Sequence, residues 1–281
     1  MMRRAEMEAT KGHPRRAGLY VEELLHELGT SVEDEVSLRH PMTFGEVVGH
    51  GRVEELAAAT ESIFSQVEPD HVWNGADIGG REWHGHFQGR CIRGVTVARR
   101  SGKRIQVDIF LASFPSPVRQ ALRDACQNLV DADAWLLPGG IDTALPPIPA
   151  NEVLDPKLPF RFATDVYLTS PVACKPVHGV ADVDRLCAHS VLVYGERAYG
   201  PRLTAGSAML SLWTGSVAGL PLEVANVIHW ADAQHVRVMA MAMRPWPVVA
   251  LFQARMQART LSFLDASYFE ARHGAAPPQL D

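Results

Sequence analysis

His84-Gly85-His86 places two imidazoles on one face of a predicted strand, because side chains there alternate with a period of two. Such a pair suits either a metal ion or proton transfer near neutral pH. A metal needs a third donor. His71 is the other histidine nearby, and no carboxylate or cysteine stands at a clear third-ligand spacing, so surface or pocket-lining imidazoles are expected and no metal. Trp83 falls on the opposite strand face, where core packing is expected ahead of an aromatic ligand platform. Met239, Met241 and Met243 also alternate on one face; flexible thioethers there fit either an ordinary core or an apolar ligand pocket. Gln106 and Asp108 lie opposite Val107, Ile109 and Leu111, which points them at solvent or an interface.

The elements that must position these residues occur twice. Shifted by 130 residues, the chain matches itself without gaps: between Val36 and Val118 there are 16 identities in 83 positions. They include Pro41/Pro171, Gly49/Gly179, Trp83/Trp213, Gly85/Gly215, Gly89/Gly219, Pro115/Pro245 and Pro117/Pro247, residue types whose geometry is hardest to replace. Each unit reads as helix, short strand, helix and antiparallel meander. Asp182–Tyr194 has helical spacing, and Arg197–Thr204, Ala208–Val217, Leu222–Trp230 and His235–Arg244 read as strands separated by Ala205-Gly206-Ser207, Ala218-Gly219 and Asp232-Ala233. The first copy repeats this with a helix over Val53–Phe64, turns at Asn74-Gly75 and Ser101-Gly102, and a last strand over Arg104–Ala112. The expected division is a tail at 1–17, a first domain at 18–130, a proline-rich linker at 131–160, a second domain at 161–270 and a tail at 271–281.

The stretch Phe162-Ala-Thr-Asp-Val-Tyr-Leu-Thr-Ser-Pro171, followed by a Gly-led helix, and the ending Val238-Met-Ala-Met-Ala-Met-Arg244-Pro245-Trp246 resemble the nuclear transport factor 2-like (SnoaL-like, ketosteroid-isomerase-like) superfamily. The resemblance covers about Asp165–Met256 and, less closely, Glu35–Asp124. It implies an α+β fold of two tandem cone-shaped domains, each a curved antiparallel sheet packed with helices over an apolar pocket. Isolated members often pair through their sheets, which implies an intrachain pseudo-dimer and leaves further homo-oligomers open. In ketosteroid-isomerase-like members the general base is a carboxylate just before the proline of the first strand; that position is His40 here and Ser170 in the second copy. A group that stabilises the developing oxyanion sits on the penultimate strand, at His229, whose repeat partner is Arg99. Neither copy keeps the carboxylate pair. The resemblance therefore implies His40 as base, with Arg99, His84 or His229 as partner, and a substrate pocket that includes Trp83, His86, Ser170, Met239 and Met241. Copy one, with His40, Glu82, His84, His86 and Arg99, carries the denser polar set. A bland reading stands beside this one, in which His40 caps a strand end and Arg99 is solvated.

Composition narrows the partners. A net charge of -5 gives no electrostatic footprint for nucleic acid. Apolar runs such as Pro245–Phe252 fall far short of the roughly 20 residues a membrane helix needs, and no apolar segment follows the basic N-terminus, so a cytoplasmic protein is expected. Cys91, Cys126, Cys174 and Cys187 form no close pair and are expected as buried reduced thiols. No phosphate loop or nucleophile elbow is present, which argues against nucleotide use and serine hydrolysis. The leading expectation is a cofactor-independent isomerase, cyclase or dehydratase acting on a small apolar, polyketide-like substrate. The alternatives are a noncatalytic ligand-binding or assembly protein, and an epoxide hydrolase, against which the missing Asp before Pro41 and Pro171 counts.

Overall fold

The computed structural model describes residues 18–139 and 160–269. The expected tail at 1–17, residues 140–159 of the expected linker and residues 270–281 lie outside the described residues. The chain is mixed α+β. Helix α1 (Val21–Glu27) leads to β1 (Glu35–Arg39), β2 (Val47–Val48) and α2 (His50–Glu61), then to the meander β3 (Ser65–Asn74), β4 (Ile78–Phe87), β5 (Arg90–Ser101), β6 (Arg104–Leu111) and helix α3 (Ser116–Cys126). A second set follows: β7 (Arg161–Thr169), β8 (Val177–His178), α4 (Val180–Tyr194), β9 (Ala198–Ala205), β10 (Ala208–Val217), β11 (Leu220–Trp230), β12 (His235–Arg244) and α5 (Trp246–Thr260). At a shift of 130 residues β2 falls on β8 and β4 on β10, end to end. The same glycine opens α2 and α4: Gly49 (φ 103°) and Gly179 (φ 88°) turn the chain through a region that L side chains rarely adopt. Helices α3 and α5, which the sequence pattern does not announce, start at Ser116-Pro117 and Trp246-Pro247, with proline in the first turn where its missing N–H is harmless.

The twelve strands among the described residues share one sheet, whose main path runs β3-β4-β5-β6-β12-β11-β10-β9, with β1 and β2 attached at β6, and β7 and β8 at β12. It is mostly antiparallel, but β1 and β7 run parallel to β6 and β12. The two sets meet edge to edge at β6 and β12, antiparallel, with Leu111 opposite Met243. One sheet face carries the helices and the larger core, including Leu38, Trp83, Ile109, Met239 and Phe252. The other face folds onto itself. There Trp73, Val97, Phe110 and Ala112 pack with Leu210, Val227, Ala240 and Ala242. The contact is complementary in size: a Cβ on Gly80 would lie 2.7 Å from Cδ2 of Leu210, its counterpart at the 130-residue shift.

Buried charge also lies on this inner seam. Asp108 is not solvated; it is fully enclosed, bonded by Arg39 and Arg99, with Nη1 of Arg244 at 3.9 Å. Glu223 completes the group, accepting from Arg39 at 2.7 Å and from Arg244 at 2.8 Å. A cleft of about 360 Å³ opens beside it, lined by Arg39, Glu46, Arg104 and Arg244 among others. Of the cysteines, Cys126 and Cys187 are buried thiols, pushed up to about 11 and about 12 by desolvation, whereas Cys91 and Cys174 are exposed, contrary to expectation. Among the described residues no helix is long and apolar enough to cross a membrane.

Candidate functional site

The residues expected to form one site fall into three places. His40 continues the parity of Val36 and Leu38 but is enclosed, at 1% exposure. Its Nδ1 accepts the Met42 N–H at 3.2 Å, so the ring proton resides on Nε2, which has no partner and is buried. Trp135, on the docked first turn of the expected linker, packs 5.9 Å from the ring. Ser170 does the same work in the second set, its Oγ accepting the Val172 N–H at 3.2 Å. Both residues are strand-end caps, so a proton-abstracting role for His40 does not fit its geometry. Burial, and then the charge of Arg244, push its pKa down to about 3.

The folded state holds His40 neutral while the unfolded chain binds a proton below about pH 6.5. Stability from this residue is complete above that pH and is lost as pH falls toward the folded value. Relative to His40→Ser, which copies the cap of Ser170, the wild-type protein should lose about 2 kcal/mol between pH 7 and about pH 5. Urea denaturation of both proteins at the two pH values checks this; parallel losses would show that His40 is free to protonate in the fold.

Arg99 is committed to Asp108 and Gln106 at the seam. Trp83 is fully buried on the helix side, its Nε1 donating to Thr96 Oγ1 at 3.1 Å, and it is core rather than ligand platform. Met239 is core too. Met241 and Ser170 border a cavity of about 10 Å³ with Cys187 and Phe252, room for about one water and no substrate.

His84, His86 and His229, by contrast, meet other polar residues on the inner sheet face. The β3–β4 hairpin makes this possible. Pro69 pairs with Trp83 and His71 with Glu82, so Asp70 is an extra residue in β3, a bulge that re-aims its side chain. Asp70 Oδ1 lies 2.9 Å from Nδ1 of His84. Glu82, two residues from His84 on the same strand face and only 1% exposed, has Oε2 3.2 Å from Nδ1 of His71 and 3.0 Å from Nε2 of His229. Arg93, opposite His84 on β5, bridges both carboxylates, 3.3 Å from Glu82 and 3.6 Å from Asp70. His86 stands edge-on to His84 at 6.0 Å. Burial pushes the Glu82 carboxyl up, but the His229 hydrogen bond and the charges of His229, Arg93 and His71 outweigh it and hold Glu82 below its ordinary value. Leaving the imidazoles out of the count, Asp70 and Glu82 against Arg93 leave one net negative charge.

Sequence reasoning missed Asp70 and Arg93 as members of this group and named His71 only as a neighbour of the His84–His86 pair. The expectation of no metal weighed His84, His86 and His71 and saw no carboxylate at a clear third-ligand spacing; in the fold Glu82 supplies the carboxylate and a distant strand the third donor, so that His71, Glu82 and His229 offer three ligand atoms within 4.8 Å of one another. The signals available were Pro69, which inside a strand marks an edge or a bulge, and the Gly89 turn, whose register sets Arg93 against His84.

Three solved structures show a partial likeness. One is an uncharacterized bacterial protein with a cystatin-like fold from Silicibacter pomeroyi, 22% identical over 36% of this chain and 72% of its own, with a TM-score of 0.35. The second is a steroid delta-isomerase from Pseudomonas aeruginosa, 21% identical over 36% of this chain and 76% of its own, TM-score 0.35. The third, from Catenulispora acidiphila, is a hypothetical protein with a ketosteroid isomerase-like fold in complex with trimethylamine, 16% identical over 29% of this chain and 68% of its own, TM-score 0.22. No family model and no curated protein matches the chain.

Proposed function

We propose that the two sets of elements are tandem copies of a cone-shaped domain of the nuclear transport factor 2-like type, packed as an intrachain pseudo-dimer, and that the chain is an isomerase-type enzyme working by acid-base chemistry on a small carbonyl compound. The site is the polar group on the inner face, not the cone interior. The observation that carries this is the His84–Asp70 contact beside Arg93. An Nδ1–H held by a carboxylate leaves Nε2 as the basic nitrogen, the arrangement that orients imidazole bases generally. His84 is partly exposed, its side chain at 25%, so a substrate can reach it. With a carbonyl compound that carries a β,γ double bond, Nε2 would take a proton from the carbon next to the carbonyl, giving a conjugated enolate and an imidazolium, and return it at the γ-carbon, leaving the double bond shifted and the enzyme unchanged. Arg93, directly across the strand pair, supplies the positive charge nearest the enolate oxygen.

The test is deuterium uptake next to the carbonyl of cyclic ketones in D2O, followed by proton NMR. His84→Ala should slow exchange by roughly 10² to 10⁴, the usual worth of a general base. His40→Ser should not. Exchange in the wild-type protein no faster than in His84→Ala would remove the enzyme reading in favour of a noncatalytic ligand-binding or assembly protein, and the packed core leaves assembly the better suited of the two.

A further inference from the structure

We propose that His71, Glu82 and His229 form a mononuclear site for a divalent first-row transition-metal ion, one per chain, that ties the two halves of the sheet together. The proposal is independent of the acid-base reading, because it concerns a binding event that needs no substrate.

The donor set is the first argument. Two imidazole nitrogens and one carboxylate oxygen suit zinc or iron(II), whereas calcium and magnesium favour oxygen donors. Spacing is the second. Ligands about 2.1 Å from one ion and at right angles to each other lie about 3 Å apart. Glu82 Oε2 is 3.2 Å from one nitrogen and 3.0 Å from the other, so an ion can replace the shared protons with small side-chain movements. The surroundings are the third. Arg93 bonds Oε1 of Glu82 and leaves Oε2 free for monodentate ligation, while Trp73 stacks on the His71 ring at 5.9 Å and helps fix its orientation. Three protein ligands and a His71 side chain 34% exposed leave coordination positions open to solvent.

The fold supplies a fourth argument, because the trio exists once. At the 130-residue shift His71, Glu82 and His229 become Pro201, Leu212 and Arg99. Leu212 packs in the apolar seam, so the repeat itself shows that this position needs no charge for the sheet to close. Burying Glu82 there costs desolvation that leucine avoids; Arg93 and the two imidazoles already offset it, and a ligated ion would add to that compensation. His71 and Glu82 come from β3 and β4 and His229 from β11, so binding must stabilise the junction by mass action.

The experiment uses the full chain, stripped with a chelator and titrated with Co²⁺ by visible absorption, then with Zn²⁺ as competitor. One Co²⁺ per chain is expected, displaced by Zn²⁺, with a rise in Tm on adding Zn²⁺. Affinity should fall tenfold or more in His71→Gln, Glu82→Gln and His229→Gln, and the Zn²⁺ shift in Tm should vanish in His71→Gln, an edge-strand change that leaves the buried carboxylate in place. His84→Gln should bind as the wild type does. Absence of stoichiometric Co²⁺ binding overturns the proposal, as does binding that survives in the His71 and His229 variants or is lost in His84→Gln. Ketone exchange measured with chelator present is a separate readout, so failure of either idea is recognisable.

Discussion

Replacing Asp108 with asparagine should cost about 3–5 kcal/mol of stability, the range for removing one partner of a buried charge group. Asparagine nearly keeps the volume, so the effect is electrostatic. Asp108 sits among Arg39, Arg99 and Arg244, and Arg244 is itself only 2% exposed. Burial pushes the Asp108 carboxyl up, and the Arg39 hydrogen bond together with the charges of Arg39, Arg244 and Arg99 more than reverses this, holding it below its usual range. Without that charge, Glu223 alone must balance Arg39 and Arg244, while Arg99 keeps only Gln106. The loss should appear in urea unfolding at neutral pH. A carboxyl depressed in the fold contributes fully above its unfolded value and is lost as pH falls through the folded one. The gap between wild type and Asp108→Asn should therefore hold down to about pH 4 and shrink below it. A loss under about 1 kcal/mol at neutral pH would mean that the arginines are adequately hydrated without their carboxylate, as exposed pairs are.

This cluster also shows where sequence reading stops. Alternation placed Asp108 opposite Val107 and Ile109, and the strand obeys that. Alternation does not say what covers the second face. The answer lies in β12 and β11, which supply Arg244 and Glu223. Most elements were legible because local chemistry specifies them: a glycine at positive φ opens α2 and α4, and Ser207, Ala218-Gly219 and Asn74-Gly75 sit in or beside the turns. β10 and β12 span the residues their alternation predicts.

Site geometry is non-local and was not legible in the same way. His229 is 147 residues from Glu82 and reaches it because the sheet folds over at the β6–β12 junction. Asp70 reaches His84 because of one extra residue in β3, and a one-residue change in register reverses which face a side chain takes. His40 is different, because both readings were open in the sequence. Its place before Pro41 suggested chemistry beside the plainer strand-end cap, and the cap is what the structure has, since an imidazole there satisfies the backbone just as the hydroxyl of Ser170 does.

The second large effect belongs to Gly94. In β5 it stands directly opposite Trp83, and a Cβ built on it would lie 2.2 Å from Cζ2 of the indole. Glycine occurs here for space, since the indole lies across the sheet at this point. At Gly79 a Cβ would also be crowded, 2.8 Å from Leu24, but the atom it meets is Cδ2, the end of a side chain that can rotate. The indole cannot yield so easily. It is fully buried against Phe64, 5.6 Å between ring centroids, and its Nε1–H is held by Thr96. Gly94→Ala must displace the ring, adding overpacking strain of about 1–3 kcal/mol and, where the Thr96 bond breaks, about 1–3 kcal/mol for the stranded donor. The expected total is about 4 kcal/mol, against about 1 kcal/mol or less for Gly79→Ala, where a rotamer change suffices. Thermal unfolding of the two variants, with tryptophan fluorescence to report the surroundings of the indoles, makes the comparison; equal losses would mean that the indole shifts freely. In the second set Val224 stands where Gly94 does and Trp213 keeps the counterpart ring contact, on Tyr194 at 4.8 Å between centroids, so there the indole leaves room for the side chain that Trp83 excludes at Gly94. The consequence reaches the inner face. Trp83 lies between Glu82 and His84 in β4, and the indole that presses on Gly94 holds the strand whose other face carries both side chains, so Gly94→Ala should also weaken Co²⁺ binding, whereas Gly79→Ala should leave it unchanged.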